Sequence, residues 1–439
     1  MNEKSNWWDH MIRFSARTDI GMRRSNNQDS HSVSPANSSR LWRTRGHLFI
    51  VADGMGAHAA GERASRMATD IISQSYIKRT SEITSDALRN AVIQAHQQIK
   101  REGASDEAFH DMGTTVDALL LLPEGAYVAH VGDSRVYRLR NRSFEQLTFD
   151  HSLVWEVRHS GRVPMAKVPA FIPKNVITRS LGPTDNLVVD LEGPFPLQPG
   201  DSFLLCSDGL TGQVDDTEIG QIIELFPPNE ATEALINLAN LRGGPDNITI
   251  IVVQVLSLPE PEEDKRDTIY EKRIPISTLS WSLMALTIAA LLTLLITAVV
   301  ASGNEEIRSG CFKGSIISGL VAFVFASLFL WSARKSLFRF SNSRSSSKIL
   351  GKGPYIRTPV APSSSFCDKL NEIVNQLIIA VQNQGISLNW KNIEKQKNHA
   401  FSCLKVYNYE ESIRSYIRII NLLMKELKKK TSTNKNQKP

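Results

Sequence analysis

Three short stretches, far apart in the chain, each place an aspartate at one end of an apolar run. They are Val51-Ala52-Asp53-Gly54-Met55-Gly56, Leu204-Leu205-Cys206-Ser207-Asp208-Gly209 and Gly243-Gly244-Pro245-Asp246-Asn247-Ile248. A carboxylate at a strand end, followed by glycine or asparagine, leaves the sheet and enters a loop. One Asp-Gly is only a turn signal. A fold that brought all three together would build an all-oxygen site for a hard divalent cation.

The segment 12–256 reads as one mixed α/β block. Strand-like runs lie at 48–52, 115–122, 126–131, 135–139, 202–206 and 248–256, and helical spacing occupies 61–78 and 85–101. Val131-Gly132-Asp133-Ser134-Arg135 has the form of a tight turn between two strands. Antiparallel hairpins are therefore expected, and with them an α+β layered sandwich rather than a doubly wound sheet.

Prolines and charges mark 257–273 as a linker. No charged residue occurs from 274 to 304, and a second uncharged run covers 314–333. Each is long enough to cross a hydrocarbon core of roughly 30 Å as a helix, so 274–301 and 314–333 are expected to form a two-helix transmembrane hairpin. Trp281 and Trp331 stand near the ends expected on one side. Lys265, Arg266, Lys272 and Arg273 precede the first run, and Arg334, Lys335, Arg339, Arg344 and Lys348 follow the second. The positive-inside rule then puts both soluble parts in the cytoplasm, at the inner membrane with the lipid bilayer as a partner.

Beyond the hairpin, 341–365 is Ser- and Pro-rich and expected to be a flexible linker. Helical periodicity returns at 366–430. Leu370, Ile373, Val374, Leu377, Ile378 and Val381 form one face, a second pattern runs over 390–406, and a third carries Ile413, Tyr416, Ile417, Ile420, Leu423 and Leu427. The stretch 400–413 is similar to the middle of one tetratricopeptide repeat. A plain helical hairpin and a small protein-docking module both remain open.

The formal net charge is +6, much of the excess lying in Lys425, Lys428, Lys429, Lys430, Lys435 and Lys438. That run is expected to be a solvated tail, and no nucleic-acid partner is expected. The four cysteines, Cys206, Cys311, Cys367 and Cys403, lack CxxC spacing and read as free thiols. The N-terminus has no apolar core of a cleavable signal peptide.

Asp29, in Arg24-Ser25-Asn26-Asn27-Gln28-Asp29, and Asp133 add two more acids to the constellation. Carboxylates gathered this way repel unless cations neutralise them. The absence of His and Cys partners favours magnesium or manganese over zinc. Seven motifs in order extend the pattern: 18–29, 51–62, 112–115, 130–137, 175–182, 207–210 and 246–249. With these, 12–256 resembles the metal-dependent serine/threonine phosphatase family, protein phosphatase 2C type, in its bacterial form.

The resemblance implies an αββα sandwich with Mn2+ or Mg2+ in a cleft at one end. Asp53 would bridge two ions, the Gly54 carbonyl would bind one, and Asp208 and Asp246 would complete the centre. Asp29 would act through bound water, and Asp133 with Asp208 would hold a weaker third ion. Arg24 would bind the substrate phosphate. Hydrolysis of phosphoserine and phosphothreonine proteins by a metal-activated water is implied, opposing a Ser/Thr protein kinase. His58 is the nearest candidate to protonate the leaving group; a structural or substrate contact is its other reading. Ala57 replaces the family's usual second glycine, and Gln28 a frequent glutamate. The segment 150–174, with His151, Trp155, His159 and Phe171, corresponds to the variable flap, its histidines expected at the surface. A catalytically weak phosphoprotein-binding module, or a scaffold acting through the C-terminal helices, is the alternative function.

Overall fold

The computed structural model describes residues 7–56, 59–159, 176–259 and 349–435, with isolated helical positions at 288, 292, 295, 296 and 327. Two antiparallel sheets form its centre. One has the order β1 (Ile12–Asp19), β11 (Ile248–Val255), β10 (Ser202–Cys206), β7 (Arg135–Arg140), β8 (Ser143–Gln146), β12 (Ile356–Pro359). The other runs β2 (Asp29–Ser34), β3 (His47–Met55), β5 (Val116–Leu122), β6 (Gly125–Val131), β9 (Asp190–Phe195), with β4 (Gly113–Thr114) against β3.

The near-continuous apolar strands follow from burial on both faces. Successive side chains of a strand point to opposite sides. Phe49, Val51, Phe203, Leu205, Ile251 and Val253 meet between the sheets. Their neighbours Leu48, Ile50 and Ala52 turn outward onto α2 (Ala60–Lys78) and α3 (Thr84–Ser105). Leu204, Ile250 and Val252 turn the other way, onto α6 (Asp216–Leu225) and α7 (Pro228–Leu241). Helix, sheet, sheet, helix is the layering expected from the sequence. The remaining short helices are α1 (Ser39–Thr44), α4 (Leu153–His159) and α5 (Asp208–Thr211).

The C-terminal part departs from expectation. Residues 1–259 and 349–439 form one compact unit, and 260–348 a second. The linker expected at 341–365 is structured from Ile349 onward. Leu350 exchanges backbone hydrogen bonds with Gly193, and Tyr355 Oη donates to Glu192 Oε1 at 2.6 Å. Ile356–Pro359 then pairs with β8, Ile356 opposite Gln146. An edge strand offers unpaired backbone groups, and here the same chain satisfies them. Gly220 makes the approach possible: a Cβ there would lie 2.5 Å from the Val360 side chain.

Three helices follow: α8 (Ser364–Asn383), α9 (Trp390–Lys405) and α10 (Tyr409–Lys435). Their apolar faces are those read from the sequence. Leu370, Val374, Leu377, Ile413, Tyr416, Ile417, Ile420 and Leu423 share one core with Ile219, Ile222, Ala231 and Ile236 of the sandwich. Polar contacts frame it: Lys369 Nζ to Glu218 Oε1 at 2.9 Å, and Asn237 Nδ2 to Asn421 Oδ1 at 2.9 Å. Arg414 also donates to the Leu225 carbonyl. The lysine run is not wholly a solvated tail, because Lys428 reaches Asp19 at 3.0 Å.

The apolar runs expected to form the membrane hairpin lie outside the described residues apart from isolated positions. Among the described residues no helix is long and apolar enough to cross a membrane. Cys206, Cys367 and Cys403 are buried free thiols; Cys311 lies outside the described residues.

Ile420 is fully buried in the shared core. Ile420→Ala should cost about 2–5 kcal/mol, and scanning calorimetry should show the single phosphatase transition moving down. Two peaks, only one of them shifted, would mean that the helices fold apart from the sandwich.

Candidate metal centre and active site

Antiparallel register places Asp29 of β2 directly opposite Asp53 of β3. Like charges at such a cross-strand pair are destabilising by themselves. Asp208 begins the short helix after β10, and Asp246 sits just before β11, the strand that pairs with β10. Asp133 occupies the turn between β6 and β7. The strand ends thus bring the acids of both sheets to one end of the sandwich. Asp29 and Asp133 are buried behind; Asp53, Asp208 and Asp246 are partly accessible in front.

The backbone around these acids is held from several directions. The Asp53 amide donates to Thr115 Oγ1 at 3.0 Å, and Thr114 Oγ1 donates to the Asp53 carbonyl at 2.9 Å. Ser207 Oγ donates to Asp29 Oδ2 at 2.7 Å and accepts from the Thr249 amide at 2.9 Å. Asn247 closes the loop between β1 and β2: its Oδ1 accepts from the Gln28 amide at 2.8 Å, while Nδ2 donates to the carbonyls of Ile20 and Asn26. Gly21 has φ +79°, and a Cβ there would stand 2.1 Å from the Asp246 carbonyl oxygen. Only glycine lets that loop lie against the acid's own backbone. Gly54 receives the same backing, its amide donating to the Gln28 carbonyl at 3.1 Å. Gln28, where the family often has glutamate, donates from Nε2 to the Gly56 carbonyl at 3.3 Å.

Electrostatics reports the cost of the arrangement. Burial, then the charges of Asp29, Asp208, Asp133 and Asp246, push the Asp53 carboxyl well above its usual range. Burial, with Asp208 and Asp246 adding to it, raises Asp29 to about 7 despite the Ser207 hydrogen bond. Burial and Asp208 raise Asp133 to about 7 as well. Asp208 is raised by burial and by Asp246, and it lies within hydrogen-bonding reach of Asp53.

The donor set fits a hard cation. Asp29 Oδ1, Asp133 Oδ1 and Asp208 Oδ1 are buried acceptors without a hydrogen-bond donor. Cations are the economical partners for such oxygens. Among the described residues no three acid, imidazole or thiol groups are spaced to grip one ion as they stand, in keeping with mutual repulsion.

Arg24 lies at the rim, 47 % exposed, and donates to Asp246 Oδ2 at 2.7 Å. Its Nε also donates to the Pro245 carbonyl at 3.4 Å. Residues 57 and 58, and with them His58 and Ala57, lie outside the described residues, as does Phe171.

The expectation of surface histidines in the flap fails for His151, which is fully buried. Its Nδ1 accepts from the Gly132 amide at 3.0 Å, and Nε2 meets Asp190 Oδ2 at 3.0 Å. It therefore supports the Asp133 turn from beneath. His130 packs beside it, its ring nitrogens 2.8 Å from Asp117 Oδ1 and from the Phe149 carbonyl. Trp155 is buried too, with Arg135 over its ring. Arg135 pairs with Asp150 at 2.7 Å. The sequence offered the segments containing Thr115, Ser207, His130 and Asn247, but their supporting roles depend on contacts across strands.

A sequence model described as Protein phosphatase 2C matches residues 22–240. The protein phosphatase PhpP of Streptococcus pneumoniae is 37% identical over 250 residues, 56% of this chain and 98% of its own. The serine/threonine phosphatase stp of Listeria welshimeri is 36% identical over 243 residues, 54% of this chain and 94% of its own. The crystal structure of the Mycobacterium tuberculosis serine/threonine phosphatase PstP/Ppp superposes with a TM-score of 0.50 at 31% identity, covering 56% of this chain and 100% of that one. Mn2+ or Mg2+ is the cofactor of this family, in agreement with the oxygen-only donor set. The αββα layering, the acids gathered at one end and the extent of these matches lead to one conclusion: the chain belongs to the protein phosphatase 2C family and is a serine/threonine protein phosphatase.

Proposed function

We propose that this chain hydrolyses phosphoserine and phosphothreonine in proteins with a metal-activated water, opposing a Ser/Thr protein kinase, while held at the cytoplasmic face of a membrane. The observation that carries the chemistry is the convergence of five aspartates from separate elements, three with buried oxygens that lack a donor. Asp53, the Gly54 carbonyl, Asp208 and Asp246 are the residues to hold two ions, with Asp29 behind them and Asp133 with Asp208 at a weaker third. Bound Mn2+ or Mg2+ would supply Lewis-acid stabilisation and acidify the attacking water.

The chain's own part is positioning. Thr114 and Thr115 fix Asp53, Ser207 fixes one oxygen of Asp29, and His151 props the turn that carries Asp133. Arg24 neutralises and orients the phosphoryl group through paired N–H donors. The leaving oxygen takes a proton, the role expected of His58.

Membrane attachment rests on the two uncharged runs and on the compact unit. Both ends of 260–348 join that unit, at Pro259 and Ile349. Two anchor points on one folded body require an even number of crossings, and the two runs supply two. This agrees with the lysines and arginines that flank both runs.

Phosphate release from a phosphothreonine peptide should require Mn2+, stop with chelator, and fall at least about 100-fold in Asp208→Ala. A folded, metal-loaded full chain with no turnover would turn the reading toward phosphoprotein binding alone.

The raised carboxyls predict a pH signature. In the folded chain Asp29 and Asp133 take up protons near pH 7, whereas an unfolded aspartate does so near 3.8. Their charges therefore disfavour the metal-free fold above pH 7, and this penalty disappears as pH falls toward 4. Mn2+ competes with those protons, so it should raise the melting temperature more at pH 8 than at pH 6. Asp53→Asn should raise the metal-free melting temperature at pH 8 and blunt the Mn2+ response. Equal Mn2+ shifts at both pH values would contradict this account.

Fractionation of cells at low salt should recover the full chain in membranes, and deletion of 274–333 should release it. Recovery of the full chain in the soluble fraction would remove the anchor from the proposal.

A further inference from the structure

The segment 349–355, which returns the chain to the sandwich, touches the support of the catalytic end. It lies beyond the family match at 22–240. Glu192 of β9 is buried, 3 % exposed, and both of its oxygens take donors from this segment: Oε1 from Tyr355 Oη at 2.6 Å, Oε2 from the Gly353 amide at 2.8 Å. The approach is close. Gly351 has φ +71°, and a Cβ there would stand 1.9 Å from Glu192 Oε2. A buried carboxylate without donors is costly, so β9 and the returning segment depend on each other.

From Tyr355, lines of contact run to the turn that carries Asp133. The hydroxyl holds Glu192, and Asp190 lies two residues away on the same face of β9. Asp190 Oδ2 meets His151 Nε2 at 3.0 Å. His151 in turn grips Gly132 twice, accepting its amide on Nδ1 at 3.0 Å and donating its own amide to the Gly132 carbonyl at 2.7 Å. The Tyr355 ring meets Phe149 edge to face with centroids 5.5 Å apart, Phe149 meets Trp155 at 5.3 Å, and Arg135 lies over Trp155. The Tyr355 amide donates to the Gln146 carbonyl at 2.8 Å; Gln146 Nε2 donates to Asp150 Oδ1 at 2.7 Å, and Asp150 pairs with Arg135. Hydroxyl, ring and amide thus all lead to 132–135.

We propose that Tyr355 is a positioning residue for the metal centre: acting through Glu192 and His151, it fixes the Asp133 turn and so tunes the weaker ion assigned to Asp133 and Asp208. This deepens, and rests on, the phosphatase reading. Asp133 Oδ1 is buried without a donor, so the aim of that carboxylate depends on the turn beneath it. Partners that orient a ligand from behind change metal affinity without touching the ion. Here the outermost of those partners comes from the C-terminal part of the chain, outside the family match.

The experiment titrates Mn2+ into the full chain by calorimetry, which needs no turnover, and identifies the Asp133 site as the one that Asp133→Asn removes. Tyr355→Phe keeps the ring on Phe149 and drops the hydroxyl. It should weaken Mn2+ at that site roughly 2- to 10-fold, the scale of one hydrogen bond, and leave the tighter sites unchanged. Ile420→Ala loosens the terminal helices away from Tyr355 and should leave every Mn2+ affinity as in the wild type. Tyr355→Phe added to Glu192→Ala should have no further effect, because both substitutions break one path. In turnover of p-nitrophenyl phosphate, Tyr355→Phe should raise the Mn2+ concentration for half-maximal rate by the same factor, with kcat restored at saturating Mn2+. Wild-type affinity at the Asp133 site in folded Tyr355→Phe, an equal loss in Ile420→Ala, additive losses with Glu192→Ala, or a wild-type chain with no Mn2+ site removed by Asp133→Asn would each overturn the proposal. If neither phosphopeptide nor p-nitrophenyl phosphate is turned over, the phosphatase reading fails, and the calorimetric titration still decides the role of Tyr355.

Discussion

The catalytic end depends on holding like charges together. Asp29 and Asp53 face each other across a β-ladder, with Asp133, Asp208 and Asp246 close enough to raise their neighbours. No such cluster is favourable by itself. The sheets impose it, because backbone pairing fixes where each strand ends. The apolar core between the sheets contributes the free energy, and the strand ends receive the strain. Proteins often concentrate such costs where function needs them. The surrounding hydroxyls and amides, Thr114, Thr115, Ser207 and Asn247, hold the backbone without neutralising the charge. Cations are left to do that.

The second organising feature is the continuity of the C-terminal helices with the sandwich. In the described unit Val360 fits against Gly220, and α8 and α10 cover apolar residues of α6 and α7. The relatives PhpP and stp are matched over nearly their whole length by little more than half of this chain. The extra helices are therefore an addition to the phosphatase core that has become part of its packing. The segment 260–348 is then an insertion between two strands of one sheet, β11 and β12, rather than a tether between independent domains. An insertion of that kind returns the chain to the body it left.

Much of this was legible from residue order. Six strands rich in Val, Ile and Leu read correctly because burial on both faces leaves them almost uninterrupted. β1 and β2, with sequences IRFSARTD and DSHSVS, did not, since their partly exposed faces carry Ser, Arg, Asp and His. The short Ile356–Pro359 strand was read as linker because its partner, β8, lies more than 200 residues earlier and no local pattern encodes that pairing. His151 was expected at the surface because its segment corresponds to the family's variable flap. A neutral imidazole with both nitrogens engaged is an acceptable core residue, and only the contacts reveal them.

Residue order alone determined the five aspartates, their glycine and asparagine neighbours, the layered α+β class, and the apolar faces of the three terminal helices. These are local properties of period and residue type. Tertiary structure alone decided which acids face each other, what braces each one, and what the terminal helices cover. It also brought Lys428 of the last helix to Asp19 at the end of β1. Such facts depend on pairing between residues hundreds of positions apart, and backbone register, not local propensity, sets them.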